Sequence, residues 1–292
     1  MLEAVPNVSE GRDRAAIEEI GRAFAGRARL LDVHSDPDHH RSVFTLVTGE
    51  EEALVESLLA GAERTLALVD LSTHQGVHPR VGAVDVVPLV PLEPEAMEDA
   101  KRAALAVARR IGEELGVPVF LYGEVGEGRR PAFFRRGGLA ELVRRVEQGE
   151  LEPAAGPRRI DPRSGAVLVG ARRPLVAYNV DLASGDEALA REIAVAVRET
   201  GGGMPGVQAI GLHLPASGRV QVSTNVIDLD RAPLHEVYLR VRREAEARGV
   251  QLAGGELVGL VPERVLEAAR AAGVEVPGVD ESRVLERLLE ST

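Results

Sequence analysis

Both halves of this 292-residue chain carry the same order of local signals: strand, helix, strand, strand, helix, strand. In the first half "LEAVPN" reads as a strand, and "SEGRDRAAIEEIGRAFAG" places Ile17, Ile20 and Phe24 on one helical face. "ARLLDVHS" reads as a buried strand and "HRSVFTLVTG" as another; "EEEALVESLLAGAERTLALV" is an amphipathic helix, and the valine-rich "VGAVDVVPLVPL" closes the unit as a strand. A long helix ("PEAMEDAKRAALAVARRIGEELG"), a strand ("VPVFLYGEV"), a helix ("GLAELVRRVEQG") and a Pro- and Gly-containing loop over 150–165 follow. From "PLVAYNVDL" the pattern starts again, with "GDEALAREIAVAVRET", "GVQAIGLHL", "GRVQVSTNVID", "APLHEVYLRVRREAEARG" and "GELVGLV" in the same roles, then a helix in "PERVLEAARAAG". The two halves share an architecture without visibly sharing a sequence. This order predicts an α/β (α+β) chain of two ferredoxin-like βαββαβ subdomains, 1–173 and 174–292. Each is expected to have a mixed sheet with helices on one face, with a ligand cleft between them.

Composition narrows the function. With 45% hydrophobic and 28% charged residues the chain can bury a core. A net charge of −11 and 3% aromatics speak against a nucleic-acid binder, which needs a basic surface and stacking platforms. Lys101 is the single lysine, so arginine is a compositional habit and not every arginine signals function. No cysteine is present, which excludes disulfides, thiolate nucleophiles and cysteine zinc sites. Without a signal-like start or an apolar run near ~18–20 residues, a soluble cytoplasmic protein is expected.

The chemistry concentrates in "HQGVHPRVGAVDVVP", residues 74–88. His74 and His78 are four apart, but Gly76 and Pro79 disfavour the helix that would make them paired metal ligands, and residue 75 is Gln where a zinc protease motif has Glu. No metal is expected. His78, next to a rigid proline, suits proton transfer near neutral pH, with an inert surface histidine as the alternative. Arg80 could hold an anionic substrate group. His74 is expected to make a structural loop hydrogen bond. Asp85, among valines, could orient the His78 loop or meet an arginine, although an edge position facing water is the default expectation. "HSDPDHHRSV", with Asp32, Asp36, Asp38 and Arg41, reads as a polar loop rim rather than a metal site. "GPRRIDPRSG", residues 156–165, could receive carboxylates or a heterocycle, or be a plain solvated loop. "GGGMPG" lacks the Lys and Ser/Thr of a phosphate loop and reads as a turn.

Taken in order, "VPNVSEG", "DHHRSVFT", "HQGVHPRVGAVDVVP", "VPVFLYGE", "GARRPLVAYNV", "VQVSTNVID" and "ELVGLVP" make the chain resemble the glutamate formiminotransferases over nearly its whole length. It resembles the stand-alone transferase, without the cyclodeaminase part of the fused animal enzyme. The resemblance implies transfer of a formimino group from N-formimino-L-glutamate to N5 of tetrahydrofolate, with tetrahydrofolate as co-substrate, no tightly bound cofactor and a homodimer. It implies His78 as the catalytic residue, with Arg80 as the candidate for a glutamate carboxylate. It implies a folate-binding loop at Gly156, Pro157, Arg158, Arg159, Ile160, Asp161, Pro162, Arg163, Ser164 and Gly165, and a second folate contact at Pro262, Glu263 and Arg264. Only the frame Gly156, Pro157, Pro162 and Gly165 of the loop, and Pro262 of the second contact, match a well-studied relative. His34 stands where some members carry aspartate, so Asp36 or Asp38 is the expected source of negative charge near His78. Formyl instead of formimino transfer, a non-catalytic folate-binding module and a metal-dependent hydrolase are the competing readings.

Overall fold

The computed structural model describes residues 1–290, which divide into two compact units, Met1–Pro174 and a second beginning at Leu175. In the first unit, β1 (Leu2–Ala4) and β2 (Asn7–Val8) occupy one strand position interrupted around Pro6, which has no N–H to give to a ladder. Then come α1 (Arg14–Phe24), β3 (Arg29–Asp36), β4 (Arg41–Thr48), α2 (Glu51–Leu68), β5 (Val84–Pro91), α3 (Met97–Glu114), β6 (Val119–Gly123), α4 (Pro131–Arg135), α5 (Gly138–Glu147) and β7 (Val167–Ala171). α1 starts where the Asp13 side chain accepts the Ala16 N–H at 3.1 Å, a side-chain cap on an orphan amide.

The βαββαβ order gives four antiparallel positions, β3, β4, β1/β2 and β5, and the sheet continues through β7 and β6 by parallel pairing. Strand alternation then builds two cores. Val167, Val169 and Ala171 face α1, α2 and α3, whose Ile20, Phe24, Leu54, Leu58, Val107 and Ile111 are buried there. Leu168, Phe120 and Tyr122 face the other way and pack with Phe134 and Leu142 of α4 and α5. Helices therefore cover both faces of this sheet, not one as the sequence pattern suggests. The expected buried strand in "ARLLDVHS" is an edge strand, with most of β3 partly exposed.

The second unit contains β8 (Val176–Leu182), α6 (Glu187–Val197), β9 (Val207–Leu214), β10 (Arg219–Val226), α7 (Leu234–Glu246), β11 (Leu252–Val258), α8 (Glu263–Ala271) and α9 (Leu285–Glu290). Its sheet order, β11-β8-β10-β9, repeats that of the first four positions of unit 1. Every pairing here is antiparallel, so the mixed sheet expected for both halves occurs in the first only. Val176, Tyr178, Val180 and Leu182 alternate into a core with Val220, Val222, Ile193 and Val241. Among the described residues, no helix is long and apolar enough to cross a membrane.

Candidate functional site

The irregular segment entering β5 carries His78, and its backbone is fixed from several sides. Asp70 caps the short 3₁₀ turn Leu71–Thr73 by accepting the Ser72 N–H at 3.0 Å. His74 is satisfied at both nitrogens: Nε2 donates to the His40 carbonyl at 2.7 Å and Nδ1 accepts the Gly76 N–H at 3.1 Å. Burial pushes the His74 imidazole down to about 4, so it is a neutral loop fastener. The Val77 N–H donates to the Asp38 carbonyl at 3.0 Å. Gly76 is where the two histidine segments meet: a Cβ there would lie 2.2 Å from the His39 carbonyl oxygen and 2.7 Å from His40 Cβ, so only glycine allows the approach.

Arg80 closes the loop on itself. Its Nη1 donates to the carbonyls of Gly76 (2.8 Å) and His78 (3.1 Å), and its Nη2 to that of His74 (2.9 Å). Three of the five N–H groups of a guanidinium are thus committed to the loop, which leaves one edge for another acceptor.

Beneath this loop lies a buried ionic cluster. Asp85 is fully buried; its Oδ1 accepts the Val81 N–H at 2.8 Å, and its Oδ2 accepts from Arg41 at 2.7 Å and from Arg135. Burial opposes its charge, but Arg135 and Arg41 hold the carboxyl below the usual range. Burial lowers Arg41 to about 10 against the attraction of Asp85, which still leaves it a cation at neutral pH. Arg41 Nε also donates to the Asn7 side chain at 2.9 Å. The expected water-facing edge position for Asp85 is wrong, because β7 pairs along β5 and α4 brings Arg135 to the same carboxylate.

His78 stacks on His39, ring centroids 5.8 Å apart, and its Nδ1 is buried with no hydrogen-bond partner. Burial, then the charges of Arg41 and Arg135, hold its imidazole well below the usual value, with the Pro79 carbonyl pulling the other way. At neutral pH it is therefore uncharged. The His39 N–H donates to Asp36 Oδ1 at 2.6 Å. A second stacked pair, His40 on His74 at 4.1 Å, is tied through His40 Nε2 to Glu10 at 3.1 Å.

Part of the 156–165 segment reaches this region. Arg163 O and Ser164 O accept the N–H groups of Leu71 and Ala83, both at 2.9 Å, and Arg163 pairs with Asp70 at 3.0 Å. Asp161 turns the chain by accepting the Gly165 and Arg163 N–H groups at 2.7 and 2.8 Å. Gly165 sits against Gly82 in a left-handed conformation (φ +68°) that a side chain would fill. Ile160 is buried in the second core, whereas Pro157, Arg158, Arg159 and Pro162 are exposed and Arg158 pairs with Glu152. Pro262, Glu263 and Arg264 belong to the second unit, at the start of α8. There Glu263 pairs with Arg287 at 3.0 Å, its N–H donates to Glu286, and Arg264 pairs with Asp230. Arg135 has no signal in the sequence beyond its place in "FFRRGG", where the abundance of arginine hides it.

An α/β chain of two repeated units with a braced, uncharged histidine beside buried arginines fits a group-transfer enzyme. Family models agree: the N-terminal subdomain of the formiminotransferase domain matches residues 1–172, and the formiminotransferase domain matches 177–274. The chain belongs to the formiminotransferase family and is a transferase. It is 37% identical to the glutamate formimidoyltransferase of Thermoplasma acidophilum over 299 residues, covering 99% of this chain and 97% of that protein. It is 35% identical to the glutamate formimidoyltransferase of Streptococcus pyogenes serotype M1, with 91% and 90% covered. Against the formimidoyltransferase-cyclodeaminase of Gallus gallus it is 43% identical over 92% of its own length but spans only 52% of that longer protein.

Proposed function

We propose that this chain transfers the formimino group from N-formimino-L-glutamate to N5 of tetrahydrofolate, giving 5-formiminotetrahydrofolate and L-glutamate. The observation that carries this reading is the end-to-end similarity to the Thermoplasma glutamate formimidoyltransferase. An uncharged imidazole in a fixed loop is the chemistry such a transfer needs.

N5 attacks the amidine carbon of the formimino group and builds a tetrahedral centre bearing three nitrogens. As the N5–C bond forms, His78 accepts the N5 proton. As the bond from carbon to the glutamate nitrogen breaks, the imidazolium returns that proton, and glutamate leaves as a neutral amine. Burial and the charges of Arg41 and Arg135 keep His78 neutral at the start and make its imidazolium a strong acid, which favours return of the proton to the glutamate nitrogen. A positioned group of this kind contributes about 10²- to 10⁴-fold. Alignment of two bound substrates supplies much of the rest.

In this reading the free edge of Arg80 meets one carboxylate of the donor. Residues 156–165 and Pro262, Glu263 and Arg264 hold the folate. The enzyme works as a homodimer with no tightly bound cofactor. The test is to mix the protein with tetrahydrofolate and either N-formimino- or N-formyl-L-glutamate, following 5-formimino- and 5,10-methenyltetrahydrofolate by absorbance. Turnover with the formimino donor is expected. Turnover with the formyl donor alone, or with neither, removes the reading.

A further inference from the structure

The buried cluster under His78 is out of balance. One carboxylate, Asp85, faces the guanidinium groups of Arg41 and Arg135, and Arg80 also acts on Arg41 and Asp85. The Asp85 side chain is 0% exposed, that of Arg41 9% and that of Arg135 14%. An uncompensated cation in such a place is unfavourable unless an anion joins it. Arg135 Nε is buried with no hydrogen-bond partner, so this guanidinium is not saturated by the protein. The imidazole beside it is uncharged and does not change the balance.

We propose that Arg135, with Arg41 beside it and both positioned by Asp85, forms a second carboxylate receptor next to His78, so that the site selects a dicarboxylate donor. This rests on the transfer reading above and adds to it: Arg80 takes one carboxylate and the Arg135–Arg41 pair takes the other. A guanidinium matches a carboxylate in a two-point contact, and two such contacts on opposite ends of a short donor fix the position of the carbon between them. Asp85 acts through the arginines and is a positioning residue.

The experiment compares three donors: N-formimino-L-glutamate, N-formimino-L-glutamine (no γ-carboxylate) and 4-formiminoaminobutyrate (no α-carboxylate). The protein should favour the dicarboxylate over each truncated donor by about 10- to 10²-fold in kcat/KM, the worth of a hydrogen-bonded charge. Arg135→Gln should erase the preference against one truncated donor and keep it against the other, with KM for tetrahydrofolate unchanged. The Asp85–Arg41 pair stays balanced in that variant, so the fold should persist. Arg135→Lys gives a second reading if it does not: an ammonium lacks the planar fork needed to serve Asp85 and a second carboxylate together, so the same preference should fall. A preference unchanged against both truncated donors in either variant overturns the proposal, as would a change only in KM for tetrahydrofolate, which would place the folate tail there instead. Calorimetric binding of L-glutamate, L-glutamine and 4-aminobutyrate provides an arm without turnover. L-glutamate should bind tighter than both, and in the Arg135→Gln variant it should bind no tighter than one of them. If all three bind the unmodified protein alike, the receptor is absent whatever the transfer assay shows. If L-glutamate is preferred but no formimino transfer occurs, the receptor stands and the transfer reading fails.

Discussion

The two units lay four strands in the same order, yet their interiors differ. In unit 2 the chain enters its fourth strand, β11, from the end of α7 through the short stretch 247–251, and the residues facing the helices are apolar apart from Tyr178 and Thr224. The Tyr178 hydroxyl donates to the Pro277 carbonyl at 2.8 Å and Thr224 donates to the Tyr178 carbonyl at 2.6 Å, so both polar groups are quietly satisfied. In unit 1 the corresponding entry, into β5, runs through 69–83, which carries both histidines of the loop and Arg80 and ends at a strand with a buried carboxylate. The shared scaffold sets where strands lie, while the length and bracing of one connection decide which copy gathers titratable side chains.

Strand aspartates make the sharpest contrast. Asp85→Asn should destabilise the protein by about 3–5 kcal/mol, because two buried guanidinium groups lose their anion. Asp181→Asn in β8, where the side chain is 25% exposed and meets Gln221 at 2.9 Å, should cost under about 1 kcal/mol. Denaturant titration reads both, and equal costs would erase the distinction between the units. Next in size, His78→Ala should lower kcat by at least ~10²-fold while tetrahydrofolate still binds; a variant with nearly full turnover removes His78 from the mechanism. Gly76→Ala should cost about 1–3 kcal/mol and lower activity, since its Cβ would collide with the His39 carbonyl. Gly249→Ala in unit 2, at φ +74° with open space around it, should cost about 1 kcal/mol through backbone strain and leave activity alone.

Acid should separate the units as well. The folded-state value of His74 is depressed to about 4, so between that value and the ordinary ~6.5 the unfolded chain binds the proton more readily. The contribution of His74 to the stability of unit 1 is therefore complete above ~6.5 and is lost as pH falls toward about 4. Amide exchange followed unit by unit across that window checks it; a flat response in unit 1 counts against a neutral, buried His74. The depressed His78 also predicts that turnover persists below the ~6.5 where an ordinary imidazole protonates.

The sequence made the repeated order legible because its helices keep a 3.6-residue apolar period and its strands are rich in valine. It located the histidine loop because His-x-Gly-x-His-Pro-Arg is dense in chemistry. It missed β7, since "VLVGA" is five residues long and follows a loop, leaving no periodicity to read. It placed Asp85 at an edge for the same reason: without β7 the neighbour of β5 is invisible. Arg41 was in view within a polar cluster, but its partner is 44 residues away. Arg135 is 50 residues from Asp85, and only the three-dimensional chain brings both arginines to one oxygen.

The insertion of β7 between β5 and β6 has a consequence for how the molecule is made. A ribosome emitting the chain in order releases β6 before the strand that joins it to the rest of the sheet. Until Val167–Ala171 has emerged, no strand joins β6 to β5. Completion of that sheet thus waits on the unit's last strand, and the second unit shares the trait, because β11, its last strand, pairs with β8, its first.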